Sequence, residues 1–135
     1  MLRSILFVAA LLAGSVPLRA EVIRVDLVGL ERLREQGVPV IDLRTPEEWS
    51  HTGVIEGSHL LTFADAQGHY DVGGWASLLA ALAAPEEPIA LICRRGRRSS
   101  IASRILDRQF GYKQVFNVLG GMKQWTAEGR ATVRP

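Results

Sequence analysis

The chain of 135 residues contains a single cysteine, Cys93. A single cysteine excludes an internal disulfide, so the apolar core must stabilise the fold. Aromatic residues are also scarce, at 7%, and they do not alternate with the basic residues, which argues against a nucleic-acid surface. The three histidines, His51, His59 and His69, have no cysteine near them in sequence. The sequence therefore predicts no metal site.

The sequence also lacks an apolar run of the about 20 residues that a membrane span needs. Its N-terminal run, Ile5–Ala13, follows a short basic start and precedes Gly14 and Pro17. This layout predicts a signal peptide over residues 1–20, cleaved after Ala20; an uncleaved anchor or a buried first helix is the alternative. Cleavage would leave one domain, residues 21–135, in the periplasm or outside the cell, without stable membrane insertion.

Basic side chains are scarce in the first half of the mature chain, and acidic side chains are scarce in the second half. Residues 21–87 hold 4 basic and 12 acidic side chains, a net charge of −8, whereas residues 88–135 hold 10 basic and 2 acidic, a net charge of +8. The split indicates either an electropositive site on an acidic body or two faces that pair. Because the sum is zero, a nucleic acid is not a predicted partner.

The apolar residues predict strands that alternate with helices. Such alternation is typical of an α/β fold with a mostly parallel sheet covered by helices on both faces. Sites in these sheets form where the strands end. The predicted strands cover residues 21–25, 38–43, 88–92, 113–119 and part of 54–61; the predicted helices cover 27–36, 46–51, 75–84, 99–109 and a short segment around Trp125, and 62–74 is predicted as a long loop.

The most informative stretch begins where the apolar run Ile89–Ile92 ends. It reads Cys93-Arg94-Arg95-Gly96-Arg97-Arg98-Ser99 and leads into a predicted helix. Backbone N–H groups at a helix N-terminus and neighbouring arginines favour a thiolate or a bound anion. A free thiol outside the cytoplasm is vulnerable unless it is used, which favours a catalytic Cys93 over a buried structural one.

Four motifs in this order resemble those of single-domain rhodaneses, sulfurtransferases that carry sulfane sulfur on a cysteine. The resemblance covers nearly all of residues 22–135 and includes the cysteine loop. The motifs are Ile41-Asp42-Leu43-Arg44 with Glu48-Trp49, Gly53-Val54-Ile55-Glu56-Gly57-Ser58, Cys93 to Ser99, and Gly120-Gly121 with Trp125 and Gly129. Two features depart from the family pattern: Val54 replaces the usual histidine, and the loop contains four arginines.

The resemblance implies a rhodanese-like three-layer fold and a thiosulfate sulfurtransferase that works through a Cys93 persulfide. It implies no cofactor, a small anionic sulfur donor, and a thiol or cyanide as acceptor, with a redox or sulfur-acceptor protein as a further partner. A persulfide carrier or redox-sensing thiol that serves a partner protein is the alternative. A phosphatase or arsenate reductase is disfavoured, because those loops place an arginine where this chain has Ser99 and because no second cysteine is present.

Several roles stay open at the level of sequence. Arg98 either pairs with an acid or binds the donor, and one or two of Arg94, Arg95 and Arg97 are expected to help in donor capture. Ser99 is equally a helix cap or a ligand group, with Gly96 as the loop's turn residue. Asp42 and Arg44 either brace the loop or pair with neighbours. Glu48 is best explained as the acid of a capping box, and the three tryptophans as core residues.

Overall fold

The computed structural model describes residues 21–135, so the predicted signal peptide lies outside the described residues. Within this range five strands alternate with five helices. The strands are β1 (Glu21–Val25), β2 (Val40–Asp42), β3 (His59–Leu60), β4 (Ile89–Ile92) and β5 (Gln114–Val118); the helices are α1 (Leu27–Glu35), α2 (Pro46–Thr52), α3 (Val72–Leu82), α4 (Arg97–Gln109) and α5 (Gly121–Ala127). No helix in this part of the chain is both long enough and apolar enough to cross a bilayer.

The strands form one parallel sheet in the order β1-β5-β4-β2-β3. This confirms the predicted α/β class and its parallel sheet. β2 and β4 are buried at every position. Burial on both faces explains the continuous apolar sequence of β4, whereas β2 ends in the buried Asp42. Asp42 and Ile92 are paired in register, so the chain segments that follow β2 and β4 leave the sheet at the same edge.

Two apolar cores, one on each face of the sheet, define the three layers. Leu91 faces the core formed with α3 and α4, whereas Ile92 faces the core formed with α1 and α5. Side chains alternate across a strand, so β4 alone supplies both cores. This double burial fixes the position of the residue that follows, Cys93.

Local hydrogen bonds determine where three helices begin. Asp26 accepts a hydrogen bond from the Gly29 N–H at 2.7 Å at the start of α1, and α2 opens with the predicted capping box of Thr45 and Glu48. The predicted loop 62–74 was too long, because Asp71 accepts from the Gly74 N–H and starts α3 at Val72. Gly73 and Gly74, which favoured the loop prediction, lie inside this helix.

The tryptophans divide between core and surface. Trp75 and Trp125 are buried, one in each core, as predicted. Trp49 is only half-buried, and its indole N–H has no hydrogen-bond partner among residues 21–135. The prediction that Trp49 is a core residue was wrong, because α2 buries none of its residues. This helix lies beside the loop of residues 93–99 that carries Cys93 (the active loop).

Candidate active site

Cys93 lies directly after β4 and is 1% exposed. The Gly96 N–H donates to its Sγ at 3.1 Å and the Ser99 N–H at 3.5 Å, while Ser99 Oγ is 3.4 Å from the sulfur. The loop can curl around the sulfur because Gly96 adopts φ +100°, a region that side chains other than glycine rarely enter. N–H groups that converge on one sulfur stabilise negative charge there.

α4 begins at Arg97, two residues earlier than predicted, with Gly96 in the capping position and no side-chain cap. Ser99 therefore does not cap the helix. Its side chain is fully buried against the cysteine sulfur instead. Of the two roles that the sequence left open for Ser99, the structure favours contact with the reacting group.

The glycine pair Gly120-Gly121 allows α5 to approach the loop. The Met122 N–H donates to the Cys93 carbonyl at 2.8 Å and the Lys123 N–H to the Arg94 carbonyl at 2.9 Å. A Cβ on Gly121 would lie 2.5 Å from both carbonyl oxygens, so no larger residue fits there. The first turn of α5 thus fixes the loop backbone, a role that the motif did not reveal.

Arg98 makes a two-point ion pair with Glu48. Nη1 lies 2.6 Å from Oε1 and Nη2 lies 2.8 Å from Oε2, the bidentate geometry that guanidinium and carboxylate favour. The hydrogen bonds from Arg98 and, to a smaller extent, from Thr45 lower the pKa of Glu48 to about 2. Glu48 is therefore more than the predicted capping-box acid, since it connects α2 to the active loop.

Asp42 and Arg44 pair with each other under α2. Both are 1% exposed, and Arg44 donates from Nε and Nη2 to the Asp42 carboxylate at 2.8–3.2 Å. Arg44 also donates to Thr52 Oγ1 at 2.7 Å and to the Gly53 carbonyl at 3.0 Å. Neither residue has a hydrogen bond to residues 93–99. They hold the end of α2, and the Asp42 charge also acts on Arg98 of the loop, where, after the hydrogen bond to Glu48, it helps to raise the pKa of that guanidinium.

Two clefts meet at the mouth of the loop. The first, about 520 Å³, lies between the loop and residues 63–70, and the second, about 500 Å³, lies between α2 and α5. Arg94, Glu47 and Glu48 line both clefts, whereas Arg97 and Arg98 line only the first. Because Arg98 is already paired, Arg94 and Arg97 are the loop arginines placed to meet an anion in the first cleft. Arg95 lies outside both clefts.

The wall opposite these arginines is built by the predicted loop. Phe63 stacks on Tyr70 with ring centroids 4.9 Å apart, and Phe63 meets Trp75 edge-on at 5.1 Å. The carboxylate of Asp65 accepts hydrogen bonds from the N–H groups of Gln67 and His69 at 2.9 and 2.8 Å. The segment is therefore an ordered turn that contributes an aromatic surface to the site, which sequence reasoning missed.

Among residues 21–135 no group of three His, Cys, Asp or Glu side chains is arranged to hold a metal ion. The site has instead one thiol, backbone donors and guanidinium groups. These groups suit nucleophilic attack on an anionic substrate.

The fold and the site together define a parallel α/β domain with a loop-borne cysteine at a helix N-terminus. Residues 29–128 match the rhodanese-like domain family. The chain therefore belongs to this family, as its motifs predicted, and its curated relatives include sulfurtransferases.

Among these relatives, the thiosulfate sulfurtransferase GlpE of Pseudomonas aeruginosa is 30% identical over 96 residues, which cover 71% of this chain and 76% of that protein. YrkF of Bacillus subtilis, whose name marks it as a candidate sulfur carrier, is 45% identical over 42 residues, 31% of this chain but only 22% of YrkF. A solved structure, the polysulfide-sulfur transferase homodimer of Wolinella succinogenes, aligns with a TM-score of 0.64 at 24% identity, covering 87% of this chain and 82% of that one. This structural likeness shows the shared fold.

Proposed function

We propose that the protein transfers sulfane sulfur from thiosulfate, or a related persulfide donor, to a thiol or cyanide through a persulfide on Cys93. The observation that carries the proposal is the position of the Cys93 sulfur. It lies against the N–H groups of Gly96 and Ser99, in a loop whose Arg94 and Arg97 have no ion pair within the described range 21–135. The family and its sulfurtransferase members support the same chemistry.

The first half-reaction forms the persulfide. The Cys93 thiolate attacks the outer sulfur of thiosulfate, a sulfur–sulfur bond forms, and the bond to the sulfonate sulfur breaks. Sulfite leaves with the electron pair of that bond. Arg94 and Arg97 line the cleft at the loop mouth, where they offset the charge of the dianionic donor and of the leaving sulfite.

The second half-reaction returns the enzyme to its starting state. A thiolate or cyanide attacks the outer sulfur of the persulfide, and the bond to Cys93 Sγ breaks with its electron pair on Sγ. The N–H groups of Gly96 and Ser99 then stabilise the restored thiolate. No oxidant, reductant or cofactor enters either step, so the loop residues suffice for turnover.

Mass spectrometry tests the proposal directly. The purified protein and its Cys93→Ser variant are mixed with thiosulfate and then with cyanide. We expect a gain of one sulfur, about 32 Da, on the wild type only, removed by cyanide as thiocyanate appears. An adduct on the variant, or none on the wild type with any persulfide donor, would refute a Cys93 persulfide.

A persulfide carrier that acts only with a partner is the second candidate. The similarity to the candidate sulfur carrier YrkF favours it. A carrier would take up sulfur in the same experiment but would not turn over with cyanide or small thiols. Steady thiocyanate production would exclude this reading.

We further propose that the protein is exported to the periplasm or beyond, on the signal-peptide pattern of residues 1–20. Mass spectrometry of the intact protein, isolated from whole producing cells and from their separated fractions, tests this. We expect a mature chain that begins at Glu21 in the exported fraction. A chain that keeps residues 1–20, or one confined to the cytoplasm, would contradict it.

A further inference from the structure

A basic groove borders the active loop and shares Arg97 with the first cleft. Its volume is about 810 Å³, and four arginines line it: Arg24 on β1, Arg95 and Arg97 on the loop, and Arg104 on α4. All four are exposed, and none has an ion pair within residues 21–135. No acidic side chain lines the groove. The "basic groove" below means this surface.

The sequence supplies acids that could have neutralised these charges, but the fold places them elsewhere. Arg34, Arg44, Arg98 and Arg130 each have a carboxylate partner. The arginines of the basic groove do not, although exposed arginines readily find carboxylates on an acidic body. Four like charges left together on one surface repel each other, and this repulsion is relieved when an anionic partner binds.

The floor of the groove offers no further polar contact at Asn117. This residue lines the groove, but it is 5% exposed and its Oδ1 is buried, so a ligand cannot reach that oxygen. The exposed arginines are therefore the charged groups that a partner meets in the groove.

The spread of the four arginines over a strand, a loop and a helix favours an extended acidic polypeptide over a small anion. The small donor is served by Arg94 and Arg97 in the first cleft, whereas Arg24 and Arg104 lie on β1 and α4, outside the active loop. The groove lacks aromatic side chains, which would offer stacking platforms to a single-stranded nucleic acid. Arg95, Gly96 and Arg97 belong to both the groove and the loop, so a partner seated in the groove lies next to Cys93.

We infer that the basic groove is the docking surface of an acidic protein that presents a thiol to Cys93 as sulfur acceptor. The inference rests on the proposed function for its chemistry. The partner's thiolate attacks the outer sulfur of the Cys93 persulfide, a new sulfur–sulfur bond forms, and the bond to Sγ breaks with its electron pair on Sγ. Electrostatic complementarity would raise the association rate and select this partner over neutral thiols.

Two synthetic peptides of equal length serve as probes. Each has one central cysteine; one carries glutamates and the other glutamines at the same positions, none next to the cysteine. Serine versions of both, labelled for fluorescence anisotropy, measure binding without any sulfur chemistry. At low salt we expect the glutamate peptide to bind at least about tenfold more tightly, and the difference to vanish near 1 M salt, where charges are screened beyond about 3 Å.

Variants localise the effect. Replacing Arg24 and Arg104 by glutamine should reduce the preference for the glutamate peptide about fivefold or more. Arg108→Gln is the matched control, since Arg108 is exposed on α4 but lies outside the groove. Thiosulfate:cyanide activity should be unchanged in all of them, because none of these residues lies in the loop.

Transfer of sulfur from loaded protein to the cysteine peptides completes the test. We expect the glutamate peptide to be persulfidated faster, with the same dependence on Arg24 and Arg104. Equal binding of both peptides, or a preference that survives in the double variant, would overturn the docking surface. If the protein binds the glutamate peptide tightly through the groove but never takes up sulfur, the proposed function is overturned and the docking surface is retained.

Discussion

The guanidinium of Arg98 and the carboxylate of Glu48 face each other with both nitrogen–oxygen contacts formed, at 2.6 and 2.8 Å. The two residues are 50 positions apart in sequence. Arg98 ends the arginine run of the active loop, and Glu48 lies in the first turn of α2. This pair fixes the distance between the loop and α2, the helix that borders both clefts.

Removing either partner should loosen this connection. Glu48→Gln and Arg98→Gln are each expected to lower the free energy of unfolding by about 2 kcal/mol, since hydrogen bonds between charged groups are among the stronger ones. Urea unfolding of the two single variants and the double variant measures their coupling. The double variant should lose clearly less than the sum of the single losses. Strict additivity would show that the contact contributes nothing.

The same pair predicts how stability depends on pH. The folded-state pKa of Glu48 is lowered from 4.5 to about 2. The stabilisation that its carboxylate contributes is therefore complete above about pH 5 and is lost as pH falls toward 2. Urea unfolding of the wild type between pH 6 and pH 2, at about one-unit steps, should show a decline on the order of 2 kcal/mol in excess of that of Glu48→Gln. If the unfolding free energies of the wild type and of Glu48→Gln run parallel over this pH range, the lowered pKa of Glu48 is contradicted.

Gly121 should be irreplaceable for a reason beyond backbone conformation. Gly121→Ala would place a Cβ 2.5 Å from the carbonyl oxygens of Cys93 and Arg94 and would also force alanine into φ +58°. Gly111→Ala is the control, because Gly111 has φ +70° but open space around its Cα. Both should lose about 1–2 kcal/mol from the left-handed conformation.

Gly121→Ala should lose at least about 2 kcal/mol more, as overpacking against backbone does. Persulfide formation should also slow in this variant alone, since the displaced carbonyls belong to the active loop. Urea unfolding and single-turnover rates with thiosulfate measure the two effects. Equal losses in both variants would mean that the close approach of α5 is unimportant.

Ser99 should influence chemistry more than stability. Its Oγ lies 3.4 Å from the Cys93 sulfur, whereas Ser103, one turn further along α4, donates its hydroxyl to the Ser99 carbonyl at 2.6 Å. Ser99→Ala and Ser103→Ala should each cost about 1 kcal/mol of unfolding free energy. Only Ser99→Ala should slow persulfide formation, by about tenfold. Similar rates in the two variants would argue that Ser99 merely fills space.

The fold and the position of the loop cysteine, Cys93, could be predicted from local sequence. A strand buried on both faces needs a continuous apolar run, so Ile89–Ile92 was recognisable as a central strand, and the glycine and arginines after it as a loop. Capping boxes likewise depend on residues three positions apart, which made the start of α2 predictable. The start of α3 was missed because Gly73 and Gly74 are poor helix formers. The hydrogen bond that the Asp71 carboxylate accepts from the Gly74 N–H overrides that preference.

The contacts between distant segments could not be read from one sequence. Glu48 satisfies a capping box on its own, so nothing local indicates that its carboxylate also pairs with Arg98. The approach of Gly121 to the active loop likewise depends on how α5 packs on the sheet. Long-range contacts follow from packing, and a single sequence does not specify which acid meets which arginine.

The sequence by itself determined the family, the parallel α/β class and the identity of the loop-borne thiol, because each follows from residues that are neighbours in the chain. Tertiary structure alone decided which arginines are free. It paired Arg98 with Glu48 and buried Arg44 against Asp42. It placed Arg94 and Arg97 beside the first cleft, and among residues 21–135 it left Arg24, Arg95, Arg97 and Arg104 without an ion pair along the basic groove. The physical reason is that an ion pair depends on the distance between two side chains, which only the folded chain fixes.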